Sequence, residues 1–319
     1  RKTNQISKVK KNRFVKNWKL TSHLLVTELN SGNFINPLRC SSIADQLYKK
    51  WKRQQIFLLV IFLFVFIFIL FGNNIVFKPE NSFKFLLCLV SIFLFNLLNL
   101  YSLLTKEMLC ERNEFFSFVY VDSLSFIRPL SLIALASLLI HYQSLEDIQF
   151  TYQQFGAIVE NVKQGEYWRL FSGVFVHSGL KHWFLNFSLL FMIYPMLNVN
   201  LGIKSIVILI CGALFSHISY FLLQIAGLHD GELLLGISGG FFSVLASLTT
   251  LSFCCRHLYP DRFFIVTASL SILFLFLGKA INPKVSMIAH ISGYIFGIIA
   301  ILLILKIRRE ETNFFKFKN

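Results

Sequence analysis

Long apolar stretches separated by short polar ones constrain the fold of this chain more than any other feature. With their flanks, eight stretches approach the roughly 20 apolar residues that an α-helix needs to cross a membrane. They are residues 56–71, 83–104, 123–142, 180–198, 203–226, 238–255, 262–280 and 287–306. Backbone polar groups in lipid must be satisfied internally, which a helix achieves within one segment. We therefore expect an all-α, polytopic membrane protein.

The charge of the chain is concentrated at its N-terminus. Hydrophobic residues make up 55% of the sequence and charged residues only 15%, where soluble domains carry about a quarter. The net charge is +15, and 13 of the 31 Lys and Arg residues precede residue 54, against two acidic residues there. In a membrane protein such a terminus sets orientation and contacts anionic lipid. Membrane lipid is thus an expected partner, and nucleic acid is not.

We interpret residues 1–55 as a basic cytosolic tail with a helix over 42–55, and residues 307–319 as a basic C-terminal tail. An even number of spans returns the C-terminus to the cytosol, in agreement with Arg308 and Arg309. The segment 228–237 lacks Lys and Arg and falls outside, so Ser238 begins its span at the outer end. The aromatic-rich connection 143–179 lies on that same side, where we expect it to fold at the membrane interface. The charged segment 105–122 is expected to be a loop.

The six cysteines show neither metal-ligand spacing nor a paired framework, and no metal or other cofactor is expected for the reaction considered below. Polar residues at the outer ends of the spans are more informative. Ser238 stands between Gly236 and Gly239, in a setting that permits close approach of another backbone. His182 and Asn186 are four residues apart and share a helix face, from which both can donate hydrogen bonds. The simpler alternative is that each satisfies a neighbouring helix.

His290, Gly293 and Gly297 occupy one face of the last span at i, i+3 and i+7. Small residues in this pattern allow two membrane helices to pack closely. If the neighbouring helix begins at Ser238, the imidazole reaches its hydroxyl and acts as a base. A packing stripe with one satisfied histidine is the alternative.

Four features occur in a fixed order: Glu166-Tyr167-Trp168-Arg169, then His177…His182…Asn186, then Gly236-Ile237-Ser238-Gly239, and finally Ala289-His290 with Gly293 and Gly297. In this order they resemble the rhomboid family of intramembrane serine proteases. The resemblance covers residues 123–306 and implies a six-helix rhomboid core. Residues 56–122 then form two additional N-terminal transmembrane helices with a charged loop.

The resemblance implies that Ser238 is the nucleophile and His290 the general base of a dyad, with Phe242 supporting the imidazole. It also implies an oxyanion hole made of His182, Asn186 and the Ser238 backbone N–H. The supporting residues it implies are His177 near the dyad, Gly236, Gly239, Gly293 and Gly297 at close approaches, and Trp168 and Arg169 as interfacial anchors of the loop. Ser292 and residues 195–200 depart from the family pattern, away from these positions.

The implied function is an intramembrane serine endopeptidase that hydrolyses peptide bonds in or near transmembrane helices of single-span substrates. Two alternatives stay open. One is a catalytically silent rhomboid-like protein that binds transmembrane clients, which would need neither Ser238 nor His290. The other is a transporter, for which the sequence shows no inverted repeat. We expect the bacterial inner membrane as the location, with a mitochondrial or other organelle membrane as the alternative, because the acid-poor basic start also resembles a transit peptide.

Overall fold

The computed structural model describes residues 14, 36–40, 42–76, 90, 92–121, 123–142, 148–281 and 285–316. Most of the predicted basic tail and the beginning of the predicted span 83–104 lie outside the described residues. The same holds for residues 143–147 of the predicted interfacial connection and for the last three residues of the chain.

The described residues are mostly helical, as the apolar pattern predicts. The α-helices are α1 (Ala44–Val76), α2 (Lys106–Val121), α3 (Ser123–Tyr142), α4 (Ile148–Phe155), α5 (Val159–Lys163), α6 (Arg169–Ser172), α7 (Leu180–Leu201), α8 (Lys204–Ile225), α9 (Ser238–Cys254), α10 (Phe263–Ile281) and α11 (Met287–Lys316). A further apolar helix covers Ile92–Tyr101, and a 3-10 turn covers Arg256–Leu258. Two short strands, β1 (Ala157–Ile158) and β2 (Leu233–Leu234), are an exception to the all-α prediction.

Three helices in the described residues are long and apolar enough to cross a membrane: Leu180–Leu201, Lys204–Ile225 and Met287–Ile307. A helix of 22 residues is about 33 Å long, which matches the hydrocarbon core of a bilayer. The prediction of an integral membrane protein is therefore confirmed, whereas the total of eight spans stays a prediction. Helix α1 runs without a break from the predicted tail helix through the first predicted span and ends at Val76.

The described chain divides into two compact units, residues 1–121 with 259–266 and residues 122–258 with 267–319. In the first unit the predicted loop 105–122 is wrong, because most of it forms α2. This helix buries Leu109, Phe115 and Val119 and exposes Glu107 and Glu111. Charges of both signs indicated a loop, but four of the five charged side chains of α2 are exposed or half-buried, and the other side of the helix contributes to a core.

Arg112 of α2 is a buried cation that the sequence did not distinguish from surface charges. It is 3% exposed, and its guanidinium donates hydrogen bonds to Asn99 Oδ1 at 3.0 Å and to Ser102 Oγ at 3.1 Å. The same group lies 5.5 Å from the centre of the Phe263 ring. Burial lowers the pKa of Arg112 to about 10. The guanidinium of Arg112 is therefore held in the interior of the first unit by polar and aromatic neighbours.

The second unit is built around α9, which packs against α8 and α11. Most of α9 from Gly239 to Ser252 is buried within the protein. Very close backbone contacts explain how this is possible. A Cβ atom at Gly293 would lie 2.1 Å from the Gly239 carbonyl oxygen, and one at Gly297 would lie 2.2 Å from the Ser243 carbonyl oxygen. In lipid, where helices gain little from burying apolar surface, such close packing is a main source of association.

The segment between α3 and α7 folds into three short helices and β1. Strand β1 pairs antiparallel with β2, with Ala157 opposite Leu234 and Ile158 opposite Leu233. The Gly236 N–H also donates to the Gly173 carbonyl at 2.9 Å. These bonds attach the long connection to the chain that leads directly into Ser238.

We predict that Gly293→Ala destabilises the protein by roughly 1–3 kcal/mol, because the new methyl group meets backbone that cannot rotate away. Thermal unfolding in detergent micelles measures the effect. Gly278→Ala in α10 is the matched control, since its Cβ would have no neighbour closer than 3.8 Å. Equal melting temperatures for the two variants would show that α9 and α11 do not approach closely.

Candidate active site

Ser238 is the first residue of α9 and is partly exposed. The preceding residue, Ile237, occupies the N-cap position, and no side-chain hydrogen bond caps this helix end. The first turn of a helix has backbone N–H groups without intrahelical partners and carries a partial positive charge. Ser238 thus has both a hydroxyl and, at its own backbone, a donor suited to a negatively charged oxygen.

The hydroxyl of Ser238 contacts an imidazole from another helix. His290 Nε2 lies 3.0 Å from Ser238 Oγ, although the two residues are 52 positions apart in sequence. His290 is 7% exposed, and its face of α11 continues through Gly293 and Gly297, where α9 approaches most closely. The sequence placed these three residues on one face, and the structure brings that face against Ser238. With Nε2 as acceptor, the imidazole can remove the hydroxyl proton.

The other nitrogen of His290 has no carboxylate partner within the described part of the chain. Its Nδ1 is buried and forms no hydrogen bond there. The Phe242 ring instead lies against the imidazole, with centroids 4.4 Å apart and planes at 31°. Phe242 is one turn beyond Ser238 on α9, so the same helix carries the hydroxyl and the ring that packs on the imidazole. An aromatic contact of this kind restricts the orientation of the imidazole ring.

Three polar residues from α7 and the chain before it converge on Gly236. A Cβ at Gly236 would lie 3.1 Å from His182 Cε1, 3.5 Å from His177 Cδ2 and 3.6 Å from Asn186 Nδ2. Gly236 has φ +104°, which L-residues rarely adopt, so both its conformation and its surroundings require glycine. The predicted group of His177, His182 and Asn186 is therefore together in space, two residues before Ser238.

Asn186 and His177 are both buried but differ in their hydrogen bonds. Asn186 is 7% exposed, and its Nδ2 is buried without a hydrogen bond to any of the described residues. His177 is fully buried, its ring lies 5.1 Å from that of His182, and its Nδ1 is 3.2 Å from the Phe175 carbonyl. An amide donor without a partner is costly in a buried place, and this makes Asn186 well suited to bind an anionic oxygen.

Arg169 has a different environment from the one expected for an interfacial anchor. It is 6% exposed, and its Nη1 donates to the carbonyls of Gln153, Gln154 and Gly156 at 2.7, 3.1 and 3.3 Å. Its Nε is hydrogen-bonded to Glu166 and holds the pKa of that carboxyl below its usual value. A cation at the end of α4 satisfies carbonyls that the helix leaves open.

Trp168 is half exposed, with the Arg169 guanidinium 4.7 Å from its ring. Arg169 thus holds the loop by buried hydrogen bonds to backbone carbonyls, whereas the Trp168 side chain is half exposed at the protein surface.

The sequence did not single out Ser137 and Ser178, which support this site. Ser137 Oγ donates to the Phe175 carbonyl at 2.6 Å and lies 3.3 Å from His177 Nδ1. Ser178 contacts His182. Ser137 lies in an apolar span and is distinguished only by its tertiary contacts, whereas the contact of Ser178 with His182, four residues further along the chain, is local. Within the described residues no group of three or more His, Cys, Asp or Glu side chains could hold a metal ion.

Comparison with known families gives one match that covers the site. The family model described as Rhomboid domain matches residues 164–307. This range contains all the site residues discussed above except Ser137, and it confirms the resemblance inferred from the motifs. No curated protein matches the chain.

We predict that Phe242→Leu slows the labelling of Ser238 by a fluorophosphonate roughly two- to tenfold, because the imidazole loses its aromatic support. Labelling rates in membranes measure this. Phe241→Leu is the matched control, since Phe241 is the preceding residue of α9 and equally buried. Its ring packs on Phe242 and Phe274, with centroids 5.2 and 5.5 Å apart. Its rate should stay within about twofold of that of the original protein. An equal loss in both variants would indicate a general packing defect.

Proposed function

Because the chain belongs to the rhomboid family through its Rhomboid domain at residues 164–307, we propose that it is an intramembrane serine endopeptidase. Its reaction is the hydrolysis of peptide bonds in or near transmembrane helices. Ser238 is the nucleophile and His290 the general base. The observation that carries the proposal is the 3.0 Å contact between Ser238 Oγ and His290 Nε2, formed between two helices in a partly buried setting.

The first half of the reaction forms an acyl-enzyme. As Ser238 Oγ attacks the substrate carbonyl carbon, His290 Nε2 takes the hydroxyl proton and the carbonyl oxygen becomes negatively charged. His182, Asn186 and the Ser238 backbone N–H donate hydrogen bonds to that oxygen. His290 then gives its proton to the departing amine, the C–N bond breaks, and the acyl group stays on Ser238. Each oxyanion donor supplies on the order of 10²–10³ in kcat.

The second half uses water in place of the serine hydroxyl. His290 removes a proton from the water molecule, which attacks the acyl carbon and releases the carboxylate product, while Ser238 recovers its proton. No cofactor is required for either half. The positive end of α9 and the donors around Gly236 act on the same oxygen in both halves, because both pass through a tetrahedral intermediate.

The proposed architecture is a six-helix rhomboid core preceded by two further transmembrane helices. The substrates are single-span proteins, because a lone helix can reach the site more readily than a helix held in a packed bundle. A substrate helix must open locally before its carbonyls are accessible, so Gly, Pro or polar residues near the cut favour cleavage. We place the protein in a bacterial inner membrane, with an organelle membrane as the alternative, in contact with anionic lipid through its basic segments.

A protein that binds transmembrane clients without cutting them is the second candidate. The same fold would serve it, and the match to the Rhomboid domain does not distinguish the two functions. The distance between Ser238 and His290 favours the enzyme, since binding alone requires neither side chain at that distance.

We predict that Ser238→Ala abolishes cleavage of a co-expressed single-span protein, and that His290→Ala lowers both cleavage and fluorophosphonate labelling by at least about 10³-fold. Immunoblots of substrate fragments and in-gel fluorescence measure the two effects. Ser252→Ala, at the far end of α9, and His257→Ala, in the 3-10 turn, are the matched controls and should retain activity.

Two outcomes would decide against the enzyme. Cleavage that persists in Ser238→Ala would show that another residue or protein performs the reaction. A client that co-purifies intact with the original protein and with Ser238→Ala alike, without any fragment, would favour client binding instead.

A further inference from the structure

His182 lies at the third position of α7, and its side chain turns back toward the residue before the helix cap. The Ser178 backbone N–H donates to His182 Nδ1 at 3.4 Å, and Ser178 Oγ lies 3.1 Å from the same nitrogen. Gly179 occupies the N-cap position with φ 128°, and this conformation leads the chain from Ser178 into the helix. The arrangement resembles a capping box, in which a side chain at the third position accepts from the backbone that precedes the helix.

These contacts determine which nitrogen of His182 carries the proton. A backbone N–H can only donate, so the nitrogen that it meets must be an acceptor. In a neutral imidazole with Nδ1 as acceptor, the hydrogen is on Nε2. The carbon bonded to both nitrogens, Cε1, faces Gly236 at 3.1 Å from the position of a Cβ. With Nδ1 directed at Ser178, Nε2–H points away from Ser178, and Cε1 between the two nitrogens lies next to the chain that enters Ser238.

The tautomer matters because an oxyanion hole needs donors. The Asn186 side chain always offers N–H groups to the site, whereas His182 offers one only in the tautomer that carries hydrogen on Nε2. In the other tautomer a lone pair would face the developing negative charge and repel it. A residue that selects the tautomer thus acts on the transition state without touching the substrate.

We propose that Ser178 is a positioning residue that holds His182 as the Nε2–H tautomer and thereby supplies one of the oxyanion donors. The proposal rests on the function proposed above, in which His182 stabilises the tetrahedral intermediate. The backbone N–H and the hydroxyl of Ser178 both donate to His182 Nδ1 in this arrangement. Removal of the hydroxyl therefore weakens the preference for the Nε2–H tautomer without abolishing it.

Kinetics with a transmembrane substrate test the role. Ser178→Ala should lower kcat roughly three- to tenfold with little change in KM, because one hydrogen bond to Nδ1 is lost. Ser178→Thr, which retains a hydroxyl, should restore kcat to within about twofold. In a His182→Ala background, Ser178→Ala should have no further effect, because the residue through which it acts is absent. A further loss of the same size in that background would overturn the proposal.

Nitrogen NMR of protein labelled with ¹⁵N-histidine tests the tautomer without reference to activity. The resonances of His182, assigned by their loss in His182→Ala, should show hydrogen on Nε2 in the original protein and a larger Nδ1–H fraction in Ser178→Ala. Ser172→Ala is the matched control, because that hydroxyl donates to the Phe155 carbonyl at 2.7 Å and should leave the tautomer unchanged. Hydrogen on Nδ1 in the original protein would overturn the proposal.

The two measurements separate the two proposals. If the original protein cleaves no substrate while His182 carries hydrogen on Nε2, the proposed function fails and the positioning by Ser178 stands as a structural fact. If cleavage occurs and the tautomer is the other one, the proposed function stands and the role of Ser178 is wrong. Hydrogen on Nδ1 in the original protein overturns the role of Ser178 even if Ser178→Ala fails to accumulate.

Discussion

The approach of α9 and α11 at Gly239 and Gly293 is the contact on which the candidate site depends most directly. At this point a single methyl group would overlap a backbone carbonyl, so the two helices lie as close as their main chains allow. Only at such a separation can a short serine side chain and an imidazole meet directly across two helices. The hydrogen bond between Ser238 and His290 is therefore a consequence of the packing, and the packing is a consequence of residues without side chains.

A polar site within an apolar bundle has to be supported from several directions. Ser238 is at a helix end, where free backbone donors and a partial positive charge are already present. The chain that precedes it is fixed by the β1–β2 pair and by the bond from Gly236 to the Gly173 carbonyl. Arg169, buried beneath the loop, binds three carbonyls of the neighbouring turn. The donors around Gly236 are thus held by main-chain contacts before any substrate is bound.

Spacing made the larger part of this site predictable. His182 and Asn186 had to share a helix face, and so did His290, Gly293 and Gly297, because a helix repeats every 3.6 residues. Features without a period were not predictable. Ser137 and Ser178 lie in sequence contexts that any membrane protein contains, and Arg169 could not be distinguished from an exposed cation. Helix α2 was missed for a related reason, since charged residues lie on its exposed side and one, Arg112, lies on its buried side as well.

The sequence by itself determined that this chain is helical and embedded in a membrane, because its apolar segments have the length of spanning helices and a helix satisfies its backbone hydrogen bonds within one segment. It also determined which residues share a helix face, since that depends only on local geometry. Which faces meet was decided by the tertiary structure. The distance from His290 to Ser238 and the convergence of three polar side chains on Gly236 each join residues through the packing of separate segments. Such contacts depend on how whole helices fit together, and the spacing of residues along one helix does not contain that information.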